Sequence, residues 1–202
     1  MSDFSTVAKN LERLGYTVRC FDTAAEAADE LDREIDGVTV GIGGSLTVEQ
    51  MGLYEKLGLH NRVWWHWRTP EGLTQNEVRD RASLCDVYLS SVNGLAETGE
   101  IVNIDGHGNR VAATVFGHKK VYLIAGSNKL APDYDAALWR ARNIAAPKNA
   151  RRLDRKTPCA VNAERCYNCS SPERICRALS VLWEKPASGD FEIILIGEAL
   201  GY

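Results

Sequence analysis

Several absences narrow the reading of this 202-residue sequence. No stretch approaches the length of a membrane span, and Met1-Ser2-Asp3-Phe4 carries neither the basic nor the apolar region of a secretory leader. Both absences point to a cytoplasmic chain that does not enter a membrane. Positive charge is not in excess: 24 Lys and Arg stand against 27 Asp and Glu, a net charge of -3, and the one basic stretch, Arg140 to Lys156, is local. A nucleic-acid partner, which needs clustered cations to displace phosphate counterions, is therefore not expected. Neither an internal repeat nor a low-complexity tract is present. With 45% hydrophobic and 25% charged residues, the chain has apolar material for one core, so residues 1-202 are expected to form one α/β domain with a cysteine-rich appendage at 157-177.

Without a leader, the six cysteines would meet a reducing compartment where disulfides rarely persist, and metal ligation becomes the better reading. The acceptor-like triplet Asn168-Cys169-Ser170 is set aside for the same reason. Four thiols fall in one segment with the spacing Cys159-x6-Cys166-x2-Cys169-x6-Cys176. Two cysteines separated by two residues can grip a metal from a tight turn, and two flanking ones complete a four-thiolate set. Zinc and a 4Fe-4S cluster both accept that set. Cys20 and Cys85 read as ordinary small core residues.

The order of elements gives the fold class. Phe4, Val7, Leu11 and Leu14 share a helical face, with Ser2 or Ser5 available as a cap, and Gly15 ends that helix. Strands are expected at 17-21, 37-42, 62-67 and 86-91, alternating with helices at 23-35, 47-57 and 74-84. Such alternation specifies a mainly parallel sheet covered by helices on both faces. Residues 100-105 and 109-115 read as an antiparallel hairpin insertion turning on Asp105 to Asn109. A strand at 120-125, a helix at 134-144 and a returning strand at 191-196 complete the expected order.

Two further segments carry chemistry. Val40 to Thr47 is a glycine-rich turn between strand and helix, where Gly43, Gly44, Ser45 and Thr47 could cradle an anion. The loop lacks the Lys of a P-loop, and a plain tight turn capped by Ser45 fits equally well. Between Ser90 and Arg110, Asn93, Glu97 and Thr98 could project into a cleft, with Glu97 as general base or nucleophile; a solvated polar turn is the alternative. Val63 to Trp67 alternates aromatics across a strand, and His66 reads as structural. Arg140, Arg142, Lys148 and Asn149 could hold an anion or simply form an exposed basic face. Trp64, Trp139 and Trp183 fit a homodimer surface or core packing equally.

The Gly41 to Thr47 loop, the long segment Ser91 to Arg110 and Arg142-Asn-Ile-Ala-Ala-Pro-Lys-Asn-Ala150 together resemble the LUD family of lactate-utilisation proteins. The resemblance spans nearly the whole chain. It implies a fold similar to the ribose-phosphate isomerase, glucosamine-phosphate deaminase and CoA-transferase group. On that likeness Gly43, Gly44 and Ser45 match the phosphate- or acyl-binding loop, and Glu97 matches the acidic cleft position. The four-cysteine spacing matches neither the short lactate-utilisation subunit nor the ferredoxin-type pattern of the long one.

The resulting expectation is a protein of organic-acid metabolism that carries a 4Fe-4S cluster on Cys159, Cys166, Cys169 and Cys176, serves an electron-transfer partner, and binds a small anionic metabolite at the glycine loop. A cluster is preferred to zinc because the related systems handle electrons. Two alternatives remain: a non-catalytic module stapled by structural zinc, and an acyl- or CoA-transferase-like enzyme using Glu97.

Overall fold

A computed structural model describes residues 3-162 and 165-202. In the first half of the chain helices and strands alternate: α1 (Ser5–Arg13), β1 (Thr17–Phe21), α2 (Ala24–Glu34), β2 (Thr39–Ile42), α3 (Leu46–Gln50), α4 (Leu53–Leu57), β3 (Arg62–Trp65), α5 (Gln75–Ala82) and β4 (Val87–Ser91). Local chemistry sets several of these boundaries. Thr23 and Thr74 open α2 and α5 with reciprocal capping boxes to Glu26 and Glu77, which satisfy amides that have no partner inside the helix. Of the two residues expected to cap α1, Ser2 lies outside the described residues and Ser5 is the first residue of the helix, its amide accepted by the Asp3 carboxylate. Gly52, at φ 64°, divides the single helix expected over 47-57 into α3 and α4.

The second half runs β5 (Gly94–Ala96), β6 (Ile101–Asp105), α6 (Asn109–Ala113), β7 (Lys120–Gly126), a 3-10 turn (Ser127–Lys129), β8 (Leu130–Ala131) and α7 (Tyr134–Arg140). The latter continues through a π-helical segment (Ala141–Ala145) into α8 (Ala146–Arg152), followed by α9 (Pro158–Asn162), β9 (Ala178–Leu182) and β10 (Asp190–Ile196).

Six strands form one parallel sheet in the order β1-β10-β7-β4-β2-β3, as the alternating pattern requires. Two interior strands, β10 and β7, bury both faces. Phe191, Ile193 and Leu195 of β10, with Val121, Leu123 and Ala125 of β7, pack toward α1, while Ile194, Ile196, Tyr122 and Ile124 pack toward α2 and α4. Side chains alternate across a strand, so one continuous apolar run supplies two cores. Gly41 has no space for a side chain, since a Cβ there would stand 2.4 Å from the Ala82 carbonyl of α5.

The second sheet, β8-β5-β6-β9, corrects the hairpin expectation. β6 pairs antiparallel with β5 and β9, whereas 109-113 is helical. The reason lies at Asp105, whose carboxylate accepts the amides of Gly106, His107, Arg110 and Val111, so a side chain caps the first turn of α6 and overrides the strand preference of the sequence. Cys85 is buried as expected, but Cys20 is exposed. Trp139 and Trp183 are exposed as well, while Trp64 packs against the α1-side core beneath Arg62 and Arg81. Among the described residues no helix is long and apolar enough to cross a membrane.

Candidate functional site

The loops following β2, β3, β4 and β7, together with the segment after β10, leave the carboxyl edge of the parallel sheet on the same side. In open α/β sheets this edge is where ligands bind. Here they enclose a cleft of about 860 Å³. The facing wall is built by the end of β6, the start of α6, the π-helical segment with α8, and residues 172-177 of the cysteine-rich segment.

The glycine loop reaches this cleft through Gly44, Ser45 and Thr47. Gly43 sits behind it, with its amide bonded to the Leu89 carbonyl at 2.9 Å and its carbonyl accepting the Trp65 indole N–H at 3.0 Å. Ser45 caps α3 by accepting the Val48 amide. The Thr47 hydroxyl lies 3.1 Å from Ser91 Oγ and 3.3 Å from the Leu200 carbonyl. Asn93 stands at the cleft floor as a structural hub: its side-chain oxygen accepts the Ile104 amide and an Arg110 N–H, and its carbonyl accepts one from Arg140.

Glu97 and Thr98 are not brought to the cleft. β5 carries the chain away from Asn93, and the Glu97 backbone is tied to Ala131 and Asn10 at the opposite end of that strand. The Thr98 hydroxyl turns to Glu100 at the exposed surface. The Glu97 side chain, matched by resemblance to an acidic cleft position, is therefore not part of the lining of this cleft.

Cations are what the cleft does contain. Arg79, Arg110, Lys129, Arg152, Arg155, Arg174 and Arg177 line it, against the carboxylates of Glu49, Asp105 and Glu173. Arg110 is buried and held by four acceptors, on Ser91, Asn93, Asn103 and Ile104, with Asp105 as its counter-charge. The Arg152 guanidinium lies 4.6 Å from the Trp67 ring centroid, and that ring stacks on Trp65. His66 is on this wall too, 3.4 Å from the position a Gly44 Cβ would take. Burial, and then the charge of Arg79, push its pKa down to about 4, which leaves a neutral imidazole at neutral pH.

Lys129 is the least expected member of the lining. It is 2% exposed, and its ammonium nitrogen has no hydrogen-bond or ion-pair partner among the described residues. Burial first, then Arg140, Arg110 and Lys148, push its pKa down to about 7. The Ser127-Asn-Lys129 sequence carries no motif that would mark it; its surroundings come from distant segments, Thr47, Arg110, Arg140, Lys148 and the C-terminal Gly201. Of the four residues singled out in the basic stretch, Arg140 is buried and binds the carbonyls of Asn93, Asn128 and Tyr202, Asn149 lines the cleft, Lys148 is exposed, and Arg142 is exposed beside Cys166.

The cysteine-rich segment meets the cleft through Arg174. Its Nε donates to Cys176 Sγ at 3.2 Å and its Nη1 to the Cys169 carbonyl at 3.0 Å; the Cys176 bond, with Cys169 and Cys166 nearby, strengthens its positive charge. In the Cys166-Cys169 turn, Asn168 adopts φ 46° and donates its amide to Cys166 Sγ at 3.3 Å. Cys159, at the start of α9, bonds the Thr157 hydroxyl. Among the described residues no three His, Cys, Asp or Glu side chains converge closely enough to hold one ion as placed.

Comparison with known proteins agrees with this architecture. A DUF162 family protein from Deinococcus radiodurans superposes with a TM-score of 0.53 at 10% identity, covering 95% of this chain and 94% of that one, which is a likeness of fold. The eIF2B beta structure from Chaetomium thermophilum gives a TM-score of 0.32 at 15% identity over 65% of this chain and 44% of that one. No curated protein matches. The LUD domain family matches residues 5-196, nearly the whole sequence, and the chain belongs to that family.

Proposed function

We propose that this LUD-domain protein serves organic-acid metabolism of the lactate type by binding a small anionic metabolite in the basic cleft, beside a 4Fe-4S cluster on Cys159, Cys166, Cys169 and Cys176. One observation carries the first part: six arginines face the cleft against three carboxylates, in a chain whose net charge is -3. A surface that reverses the overall sign in one concavity concentrates anions there. The ligand's carboxylate or phosphate would meet arginine forks, while neutral His66 and the hydroxyls of Ser45 and Thr47 orient the remainder. Glu97 has no part in this reading.

Calorimetry with lactate and with inorganic phosphate tests it, using the wild type and Arg152→Ala, whose side chain is at the exposed rim. Loss of one charge-assisted hydrogen bond, about 1.5–3 kcal/mol, is expected to weaken binding roughly tenfold or more. Binding of neither anion would sink the proposal.

For the cysteines, the donor chemistry fits a soft metal group, and the turn around Asn168 and the shared surroundings of Arg174 support placing Cys166, Cys169 and Cys176 in one site, to which sequence spacing adds Cys159. When bound, a 4Fe-4S cluster would supply single-electron transfer; zinc would only staple the wall. Metal and acid-labile sulfide on anaerobically purified protein, and on Cys166→Ala, separate the two. About four iron and four sulfide per chain, lost in the variant, support the cluster. About one zinc without sulfide supports the staple, and neither metal removes both.

A further inference from the structure

Immediately after β7, the 3-10 turn presents Lys129 at a rigid place. Ser127 N–H bonds the Glu198 carbonyl at 3.0 Å, the Asn128 side chain accepts the Leu200 amide at 3.1 Å, and the Asn128 carbonyl accepts Arg140 Nε at 2.7 Å. The turn that leads into Lys129 is thus anchored by three hydrogen bonds, and the lysine lines the cleft with no carboxylate paired to it among the described residues. The charged groups facing it, Arg110 from α6, Arg140 from α7 and Lys148 from α8, are all cations. A point at the Cβ position that Gly201 lacks lies 2.7 Å from Thr47 Oγ1, 3.3 Å from Thr47 N and 3.4 Å from Lys129 Nζ. The amine therefore shares its space with the Thr47–Ser91 hydroxyl pair.

A purely structural position this deep would favour an apolar side chain, and a purely electrostatic one would favour Arg, which stays charged when buried. A desolvated lysine among cations is instead the arrangement that keeps an amine neutral and nucleophilic. We propose that Lys129 is a carbonyl-reactive amine that condenses with a small ketone or aldehyde bearing a carboxylate or phosphate, a proposal that rests on the anion-binding reading of the same cleft. The amine lone pair forms the N–C bond while the carbonyl π pair moves to oxygen. Both amine hydrogens then leave with that oxygen as water, giving an imine. The Thr47–Ser91 pair is the adjoining hydroxyl path for the protons.

Reductive trapping tests this directly. Intact protein is incubated separately with pyruvate and with dihydroxyacetone phosphate, treated with cyanoborohydride, digested and mapped by mass spectrometry, while calorimetry on the untreated protein reads binding of each ketone. A saturable adduct at Lys129, absent from Lys129→Met, is expected, and the ketone that yields it identifies the anionic group recognised. Mapping on the wild type locates the adduct whether or not the variant folds. No adduct at Lys129, or adducts confined to surface lysines, overturns the inference. If calorimetry then still registers either ketone or inorganic phosphate, the anion cleft stands; if it registers none of them, that reading falls as well.

Discussion

Lys129 and Arg110 are both buried cations in one cleft, yet their surroundings give them opposite characters. Arg110 meets four acceptors and Asp105, so its charge is compensated and it ties β4, β6 and α6 together. Lys129 meets none, and its desolvation is relieved only by losing the proton. Because its folded-state pKa, about 7, lies below its ordinary value near 10, the unfolded chain binds the proton more tightly. The destabilisation is complete below about pH 7 and fades as pH rises toward 10. Lys129→Met should therefore stabilise the protein at pH 6 by about 1–2 kcal/mol, and the gain should shrink by pH 10. Thermal or urea unfolding of the two proteins at both pH values checks this, and a pH-independent difference would mean that the amine has a partner in solution.

At the scale of elements, the parallel sheet was legible because its strands are short β-branched runs separated by amphipathic helices with explicit caps, Thr23 to Glu26 and Thr74 to Glu77. The antiparallel layer was not. β5 and β8 are three and two residues long, too short to show a period, and β9, at 178-182, pairs with β6 across more than seventy residues of sequence. The strand expected at 109-115 failed on a single side chain, the Asp105 carboxylate, whose four amide contacts depend on the turn geometry rather than on composition. The glycine loop announced its part in the cleft through residue type. Arg79 and Lys129 did not, because each becomes a site residue only when the sheet's carboxyl edge and the C-terminal residues converge. Glu97 shows the converse: singled out by its residue type and by resemblance, it follows the end of a three-residue strand that leads away from this cleft.

Across the whole molecule, charge is distributed so that the surface is mildly acidic while one concavity is basic. Ion pairs that neutralise several cations elsewhere support this separation. Arg19 and Lys120 converge on the buried carboxylate of Glu192, with Glu34 alongside, at the middle of β1 and in the amino-terminal halves of β7 and β10, away from the cleft at the carboxyl edge. Those cations are neutralised where they stand, whereas the cleft cations exceed their carboxylates. If that excess governs ligand capture, affinity must follow screening. Between about 0.01 M and 1 M salt the Debye length falls from about 30 Å to about 3 Å. The dissociation constant for inorganic phosphate should rise on the order of tenfold or more across that range, because exposed Arg152, Arg155 and Arg177 are screened first. Calorimetry in a chloride series, with sulfate-free buffer, measures it. A flat response would shift the explanation from the field of the cleft to the few buried groups at its floor, making Lys129 and the Thr47 hydroxyl, rather than the arginine rim, the determinants of what this protein holds.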